Sequence, residues 1–424
     1  MKNLIRPSLV ILFCHLIIFA SAQYIILPDT SLKKCLVSDP NINTNLDQEI
    51  DTLEALNADV ISCTSEEVHD LQGVDEFKNI KELILITNKV NDLNLSFASK
   101  LEFVSVTDKT SSGQTGLDMI DVSSNLELYG ITIVGSDLNE IDLSKNEKLE
   151  FVVIDSSNLS DTLNLVQNDL LTYLKCSNAN LKSIIFSDIA ITKLEQIYCN
   201  GNLIDSVRLL DFTALLRVDF SHNLLNSFDI VGLEKVTFVS CIDNNISSLI
   251  VSDLDELTEL YCDSNQLVHL DLSNNSRLKN LTASNNILVE LNVRNGNNKS
   301  LILDIKNNPT LDCITVDDPN WSNDRWSNKV DSGVTFNENC LNSIKTETPL
   351  EIEIYPNPSR GIVFIKGTNK IEGVTVINSL GQEIKTTRYS WNKFKIDEVP
   401  AGMYCMNVHL SDGTSVIKRI VIID

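Results

Sequence analysis

The chain has 424 residues, of which 43% are hydrophobic and 22% are charged, a balance typical of globular domains and not of disordered chains. This length predicts roughly two to four domains. The formal net charge of −24 disfavours nucleic-acid binding, because an acidic chain repels the phosphate backbone.

The first 22 residues have the pattern of a secretory signal peptide. Lys2 and Arg6 give a positive start, residues 8–20 form a short apolar core, and residues 20–22 match a small-residue cleavage pattern. The alternative is a membrane anchor, but this apolar core is too short to span a bilayer comfortably. The sequence therefore predicts export, with Gln23 as the first residue of the mature protein.

Residues 23–79 are predicted to form a small helical N-terminal cap, with short helices over residues 27–36 and 53–56. The polar stretch between them resembles the spacing of a calcium-binding EF-hand loop. Gln48 replaces the usual glycine and Asn43 the usual first aspartate, so a polar cap turn without an ion is the alternative. The candidate calcium ligands are Asn43, Asn45, Asp47, Glu49 and Glu54.

Residues 80–312 carry a repeat with the pattern L-x-x-L-x-[LC]-x-x-N-x-L-x-x-L-x-L, which is complete at residues 257–272. The alternation of period two predicts a short strand with one buried face, and such strands bury that face only by stacking on one another. The mean spacing of 22 residues gives about eleven repeats. The ladder positions, which hold the asparagine of the pattern, are Asn88, Lys109, Ser136, Ser157, Ala179, Asn202, Asn223, Asn244, Asn265, Asn286 and Asn308.

An asparagine at the ladder position can satisfy backbone groups where the chain turns inward, whereas Lys, Ser and Ala lose that bonding. We therefore expect the repeats before Asn202 to be less regular than those from Asn202 to Asn286. The insertion containing Ser111, Ser112 and Gly113 is expected to form a bulging loop.

The repeat resembles the leucine-rich-repeat family, in the short form common in secreted bacterial proteins. The stretch LYCDSNQLVHLDLSNN at 260–275 is its most specific part. The resemblance implies a mainly β solenoid with a parallel sheet along a concave face, where ligands usually bind. The outward strand positions include aromatic side chains, which can anchor a ligand or, alternatively, cover each other across neighbouring strands. The predicted ligand-binding residues are Phe151, Tyr173, Tyr198, Arg217, Phe238, Glu259 and Tyr261.

Nine cysteines remain after the signal peptide, an odd number. Four of them, Cys176, Cys199, Cys241 and Cys262, share the same inward repeat position. Strands ~4.8 Å apart hold such side chains too far apart for the ~3.8 Å between the Cβ atoms of a disulfide bond, so we expect free buried thiols.

Residues 313–341 are predicted to cap the end of the solenoid with Trp321, Trp326 and Phe336. Cys313 and Cys340 are expected to pair, because export places them in an oxidising compartment. Whether Cys35 and Cys63 of the N-terminal cap also pair stays open.

The end of the chain changes pattern after a polar linker at 342–349. Residues 350–424 contain seven short alternating segments separated by turn residues, which predicts an all-β, Ig-like antiparallel sandwich. The predicted strands are 351–355, 362–366, 373–378, 383–387, 393–396, 402–410 and 415–423.

Four motifs in this tail are similar to those of the type A C-terminal sorting domain of the bacterial type IX secretion system: YPNP at 355–358, NSLGQ at 378–382, PAGMY at 400–404 and KRIVII at 418–423. The resemblance implies a Bacteroidota-type source, export by the type IX machinery, and release or attachment at the outer-membrane surface. The residues that carry it are Tyr355, Pro356, Asn357, Pro358, Gly381, Gly402, Tyr404 and Lys418.

The sequence shows no pattern of catalytic residues and no phosphate-binding glycine loop. We therefore expect a monomeric binding protein, not an enzyme, secreted or on the cell surface, without a cofactor apart from the candidate calcium ion. Its ligand would be a protein or a glycan. The alternative is a structural or adhesive surface protein in which the solenoid is mainly a spacer.

Overall fold

The computed structural model describes residues 23–340 except 65–66, 87–88, 108–115, 188–192 and 210–211, and residues 352–422 except 356, 358, 367–370, 379–381, 391, 397–398 and 411–414. The chain divides between Cys340 and Leu341 into two compact units, each with its own hydrophobic core. The predicted signal peptide, the linker and the predicted loop at 111–113 lie outside the described residues.

The first unit begins with two short helices, α1 (Thr30–Ser38) and α2 (Thr52–Asn57). Helix α1 starts later than predicted, because the Asp29 carboxylate accepts the Leu32 N–H at 2.8 Å and so caps the helix at this point. A 3-10 turn (Val74–Glu76) precedes the repeats, and a second one (Asn298–Ser300) lies near their end.

The solenoid is built from stacked parallel strands, as the repeat predicts. They are β1 (Val60–Cys63), β2 (Glu82–Ile86), β3 (Asp92–Asn94), β4 (Phe103–Thr107), β5 (Met119–Asp121), β6 (Gly130–Val134), β7 (Phe151–Asp155), β8 (Thr162–Leu165), β9 (Tyr173–Lys175), β10 (Ser183–Phe186), β11 (Gln196–Tyr198), β12 (Arg217–Asp219), β13 (Phe238–Ser240), β14 (Glu259–Tyr261), β15 (His269–Asp271), β16 (Asn280–Thr282), β17 (Glu290–Asn292), β18 (Ile302–Asp304), β19 (Cys313–Thr315) and β20 (Thr335–Asn337). Among the described residues, twelve form one long sheet in the order β1-β2-β4-β6-β7-β9-β11-β12-β13-β14-β16-β18. Its inward side chains, such as Leu174, Ile197 and Val218, are fully buried.

A second row of strands runs along the other side of the solenoid and was not predicted. It comprises the sheet β15-β17-β19-β20 and the pairs β3–β5 and β8–β10. Two of these strands end in a turn that their last acidic side chain closes: Asp121 of β5 accepts the Ser123 N–H at 2.9 Å, and Asp271 of β15 accepts the Ser273 N–H at 3.0 Å. The sequence signal was the second L-x-L of the repeat, residues 270–272 in the complete unit.

The ladder asparagines bond the turns of neighbouring repeats together. Asn223 Nδ2 donates to the carbonyls of Cys199, Phe220 and Ser221 at 2.9–3.1 Å, and its Oδ1 accepts the Ile204 N–H at 3.0 Å. The residue before each of nine ladder positions has a left-handed backbone, which turns the chain inward after the strand. These residues are Gly135, Ser156, Asn178, Gly201, His222, Asp243, Ser264, Asn285 and Asn307.

The early repeats differ from the later ones in strand length, not in pairing regularity as expected. Strands β6 and β7 have five residues, whereas the strands from β9 to β18 in the long sheet have three. The serines at these ladder positions, Ser136 and Ser157, bond to each other at 2.8 Å. Ser157 Oγ also donates to the Asp155 carbonyl at 3.5 Å, which corresponds to the Ser221 carbonyl that Asn223 bonds in its own turn.

Both ends of the solenoid carry a disulfide bond. Cys35 pairs with Cys63 and Cys313 with Cys340, each with Cα atoms 5.7 Å apart. Helix α3 (Pro319–Trp326) covers the C-terminal end, where the rings of Trp321 and Trp326 meet edge to face at 5.3 Å and Phe336 packs beside them. The four repeat cysteines, Cys176, Cys199, Cys241 and Cys262, are free and buried.

The second unit consists of antiparallel strands: β21 (Glu353–Tyr355), β22 (Ile362–Lys366), β23 (Ile371–Ile377), β24 (Glu383–Ile384), β25 (Thr386–Ser390), β26 (Lys393–Ile396), β27 (Gly402–Leu410) and β28 (Ser415–Ile422). They form the sheets β21-β22-β26-β25 and β24-β23-β27-β28 around a common core, which agrees with the predicted sandwich. The predicted strand 383–387 is divided at Lys385, because its two halves pair in different sheets.

Candidate ligand-binding face and sorting signal

The predicted ligand-binding residues all lie on the outward face of the twelve-stranded sheet, and all are half-buried. They fall into two groups. In the first, the rings of Phe151 and Tyr173 stack across neighbouring strands at 5.0 Å, and the Tyr198 ring follows at 5.9 Å. On the same strand as Tyr173, Lys175 forms an ion pair with Asp155 at 2.6 Å. The stacking agrees with the alternative that these rings cover each other across neighbouring strands, and each of them is still half-buried.

The second group contains a charged side chain over an aromatic ring. The Arg217 guanidinium lies 4.4 Å from the centre of the Phe238 ring, and the Tyr261 ring lies 5.6 Å from Phe238 on the other side. Tyr261 donates its hydroxyl to Glu259 at 2.7 Å. Every side chain of this group is therefore held by a neighbour, which leaves the face with little conformational freedom to lose on binding.

The hydroxyl of Tyr261 should lose its proton at an unusually high pH. Desolvation and the hydrogen bond to the Glu259 carboxylate raise the pKa of Tyr261 to about 12. Because this pKa is raised in the folded state, the protonated Tyr261 hydroxyl contributes to the stability of the fold. This contribution is complete below the ordinary tyrosine pKa of 10.0 and is lost as the pH rises toward 12. The ultraviolet titration of the wild type minus that of Tyr261→Phe reports the ionisation of Tyr261 alone. We expect this signal to change near pH 12, and the Glu259→Gln change to lower the pKa of Tyr261. Ionisation near pH 10 in the wild type would contradict this assignment.

Most of the candidate calcium ligands use their side-chain oxygens in contacts within the protein, the buried Asn43 Oδ1 being an exception. Glu54 Oε1 accepts the N–H groups of Thr44 and Asn45, and Oε2 accepts the Asp51 N–H at 3.1 Å. Glu49 pairs with Lys33 at 2.6 Å. An EF-hand requires both oxygens of its last glutamate for the ion, so these residues do not fit calcium and support the alternative of a polar cap turn.

The remaining ligand candidates of that loop also bond locally. Asn43 Nδ2 donates to the Val37 and Asp47 carbonyls, and Asn45 Oδ1 accepts the Asp47 N–H at 2.8 Å. Among the residues that the structure describes, no group of three or more His, Cys, Asp and Glu side chains could hold a metal ion.

In the tail, two of the sorting motifs are bonded to each other. Asn357 Oδ1 accepts the Val421 N–H at 2.8 Å, and its Nδ2 donates to the Arg419 carbonyl at 3.0 Å. The side chain thus pairs with the outer edge of β28 as a neighbouring strand would. Lys418 is exposed on the same strand, whereas Pro356, Pro358 and Gly381 lie outside the described residues.

The PAGMY motif builds a corner at the start of β27. The Tyr404 hydroxyl donates to the Pro400 carbonyl at 2.9 Å, and its ring is buried in the sandwich core. Gly402 begins the strand and pairs with Ile422. Tyr355 stacks on Phe364 at 5.7 Å.

Comparison with known proteins identifies the tail. Residues 353–423 match the model of the secretion system C-terminal sorting domain. The tail is a type IX sorting domain. This sorting domain indicates a protein that is secreted or attached to the cell surface. No curated protein sequence matches the chain, and no helix in its described part is long and apolar enough to cross a membrane.

Solved structures agree with the solenoid. The leucine-rich-repeat protein LIC12759 of Leptospira interrogans aligns with a TM-score of 0.54 at 20% identity, over 66% of this chain and 79% of that one. The functional domain of InlJ from Listeria monocytogenes aligns at 0.49 and 16% identity over 93% of this chain and 97% of that one. The internalin InlF of the same species aligns at 0.48 and 19% identity over 69% and 92%. The alignment with LIC12759, together with the stacked parallel strands, shows that the first unit has the leucine-rich-repeat fold.

Proposed function

We propose that this protein is a non-catalytic binding protein, secreted or held at the cell surface, that recognises a protein ligand through the outward face of its twelve-stranded sheet. The observation that carries the proposal is the row of half-buried Tyr, Phe and Arg side chains on that face. Tyr and Arg, with Trp, are the residues most often found at the energetic centres of protein interfaces.

The ring geometry favours a protein over a glycan. A sugar ring stacks on the flat face of an aromatic ring, but Phe151 and Tyr173 lie nearly parallel, at 16°, and cover one face of each other. The Phe238 ring is likewise covered by Arg217. These residues offer a ligand partly covered ring faces, ring edges and polar groups, and a protein surface matches such a mixed set.

The test compares the full chain with the double variant Tyr198→Ala/Tyr261→Ala in selections against a display library of random peptides. We expect the wild type to enrich binders whose affinity falls about 30-fold or more in the variant, since a central interface residue contributes about 2 kcal/mol. The control variant Met119→Ala/Ile185→Ala removes exposed apolar side chains from the second row of strands and should bind as the wild type does.

Two results would contradict the proposal. Binding to a printed glycan array that depends on the same two tyrosines would make the ligand a glycan. The solenoid would instead be a spacer if both variants supported cell adhesion equally and no peptide bound in a tyrosine-dependent way.

A further inference from the structure

The two units of the chain differ strongly in charge. Residues 23–340 contain 22 Lys and Arg against 49 Asp and Glu, a difference of −27, whereas residues 351–424 contain 9 against 8. A ligand approaching the solenoid therefore meets a negative potential that raises the encounter rate of cationic partners.

The early repeats hold an aromatic patch made of two groups of rings, Phe103 with Tyr129, and Phe151 with Tyr173 and Tyr198. Phe103 and Tyr129 have ring centres 6.0 Å apart. The Phe103 ring lies over Gly130, where an added Cβ would come within 2.7 Å of it, so the glycine makes room for the ring on the outward face. Five aromatic side chains thus share the region between β4 and β11.

A row of carboxylates borders this aromatic patch where the strands begin. Glu102, Glu150 and Glu195 are exposed, and each immediately precedes the first outward residue of its strand. They occur on every second strand of the sheet, which places them about 10 Å apart. In the part of the chain that the structure describes, the ion pairs include none of these three carboxylates. Two lysines of this region pair with other carboxylates, Lys175 with Asp155 and Lys81 with Asp59.

We infer that the aromatic patch and its carboxylate row bind a protein segment that carries lysine and arginine side chains. A cation over an aromatic ring is attracted by the electrons of the ring face, and an adjacent carboxylate compensates its charge. The same sheet shows this chemistry, since Arg217 lies over Phe238. The inference rests on the proposed function, because it names the chemistry of the protein ligand.

The test reads the composition of the peptides that the full chain enriches from the random display library. We expect Lys and Arg to be enriched over Asp and Glu, and binding to weaken with added salt. The triple variant Glu102→Gln/Glu150→Gln/Glu195→Gln should lose this preference and bind the basic peptides about tenfold more weakly, the effect of about 1.4 kcal/mol lost over three exposed pairs.

The matched control makes the same change of charge elsewhere. Asp92→Asn/Asp118→Asn/Glu140→Gln lies on exposed positions beside the second row of strands and should keep the preference for basic peptides. An equal loss in both triple variants would overturn the inference, because it would reflect net charge alone. Tyrosine-dependent binders without basic enrichment would overturn the inference but leave the proposed function intact, whereas the absence of tyrosine-dependent binders would overturn both.

Discussion

Replacing Asn223 by alanine is expected to destabilise the solenoid by about 2 kcal/mol, because it removes the acceptor of a buried backbone N–H. The side chain is 6% exposed and makes four hydrogen bonds that join three turns of the backbone. Its loss leaves the buried Ile204 N–H without its acceptor. The three carbonyls keep other donors, namely Asn202 Nδ2, Asn244 Nδ2 and the Gly201 N–H. A buried polar group without a partner costs about 1–3 kcal/mol.

Urea unfolding followed by circular dichroism measures this change as a lower transition midpoint. The control is Asn226→Ala, an exposed asparagine of the same repeat that only accepts one hydrogen bond, from Asn245. We expect that variant to unfold within about 0.5 kcal/mol of the wild type. Equal stability of the Asn223 and Asn226 variants would show that the ladder does not stabilise the stacking of the repeats.

The ladder also shows how far the sequence specifies this fold. The spacing of the asparagines predicted the stacking, the parallel sheet and the buried positions of the repeat cysteines, because each depends on a pattern within one repeat. The length of β6 and β7 was not predictable in the same way. The contact between Ser136 and Ser157 was not predictable either, because it joins two repeats and a serine pattern alone does not specify a partner.

The candidate calcium loop shows the same limit in another form. The spacing of oxygen-bearing side chains at 43–54 matches an ion-binding loop, but spacing does not say which donors compete for those oxygens. The structure provides backbone N–H groups at the start of α2, and Glu54 accepts from them in a capping box. The position of each ligand-binding candidate on the outward face was predictable from alternation, whereas the Arg217–Phe238 contact was not, because it joins side chains of two repeats.

Replacing Asn357 by alanine is expected to destabilise the sorting domain and to reduce secretion. The side chain spans from the YPNP motif to the last strand, 62 and 64 residues away along the chain. Among the described residues of this segment, Ser359 would still hold it against β28, through its backbone bridge to Ile422 and its N–H bond to the Val421 carbonyl. Loss of two hydrogen bonds lowers the free energy of unfolding by about 2 kcal/mol, a large share of the stability of so small a domain.

The readout is the amount of the protein in the medium and on the cell surface of a bacterium with a type IX secretion system. We expect a several-fold decrease, with the missing protein retained in the cell or degraded, because a change of this size alters the abundance of a marginally stable domain several-fold. Asn392→Ala is the control, since that side chain only accepts a local hydrogen bond from Ser390. Normal secretion of the Asn357 variant together with a lowered unfolding temperature would mean that the sorting signal is read without the pairing of Asn357 to β28. Normal secretion with unchanged stability would contradict the prediction that Asn357 of the YPNP motif stabilises the sorting domain.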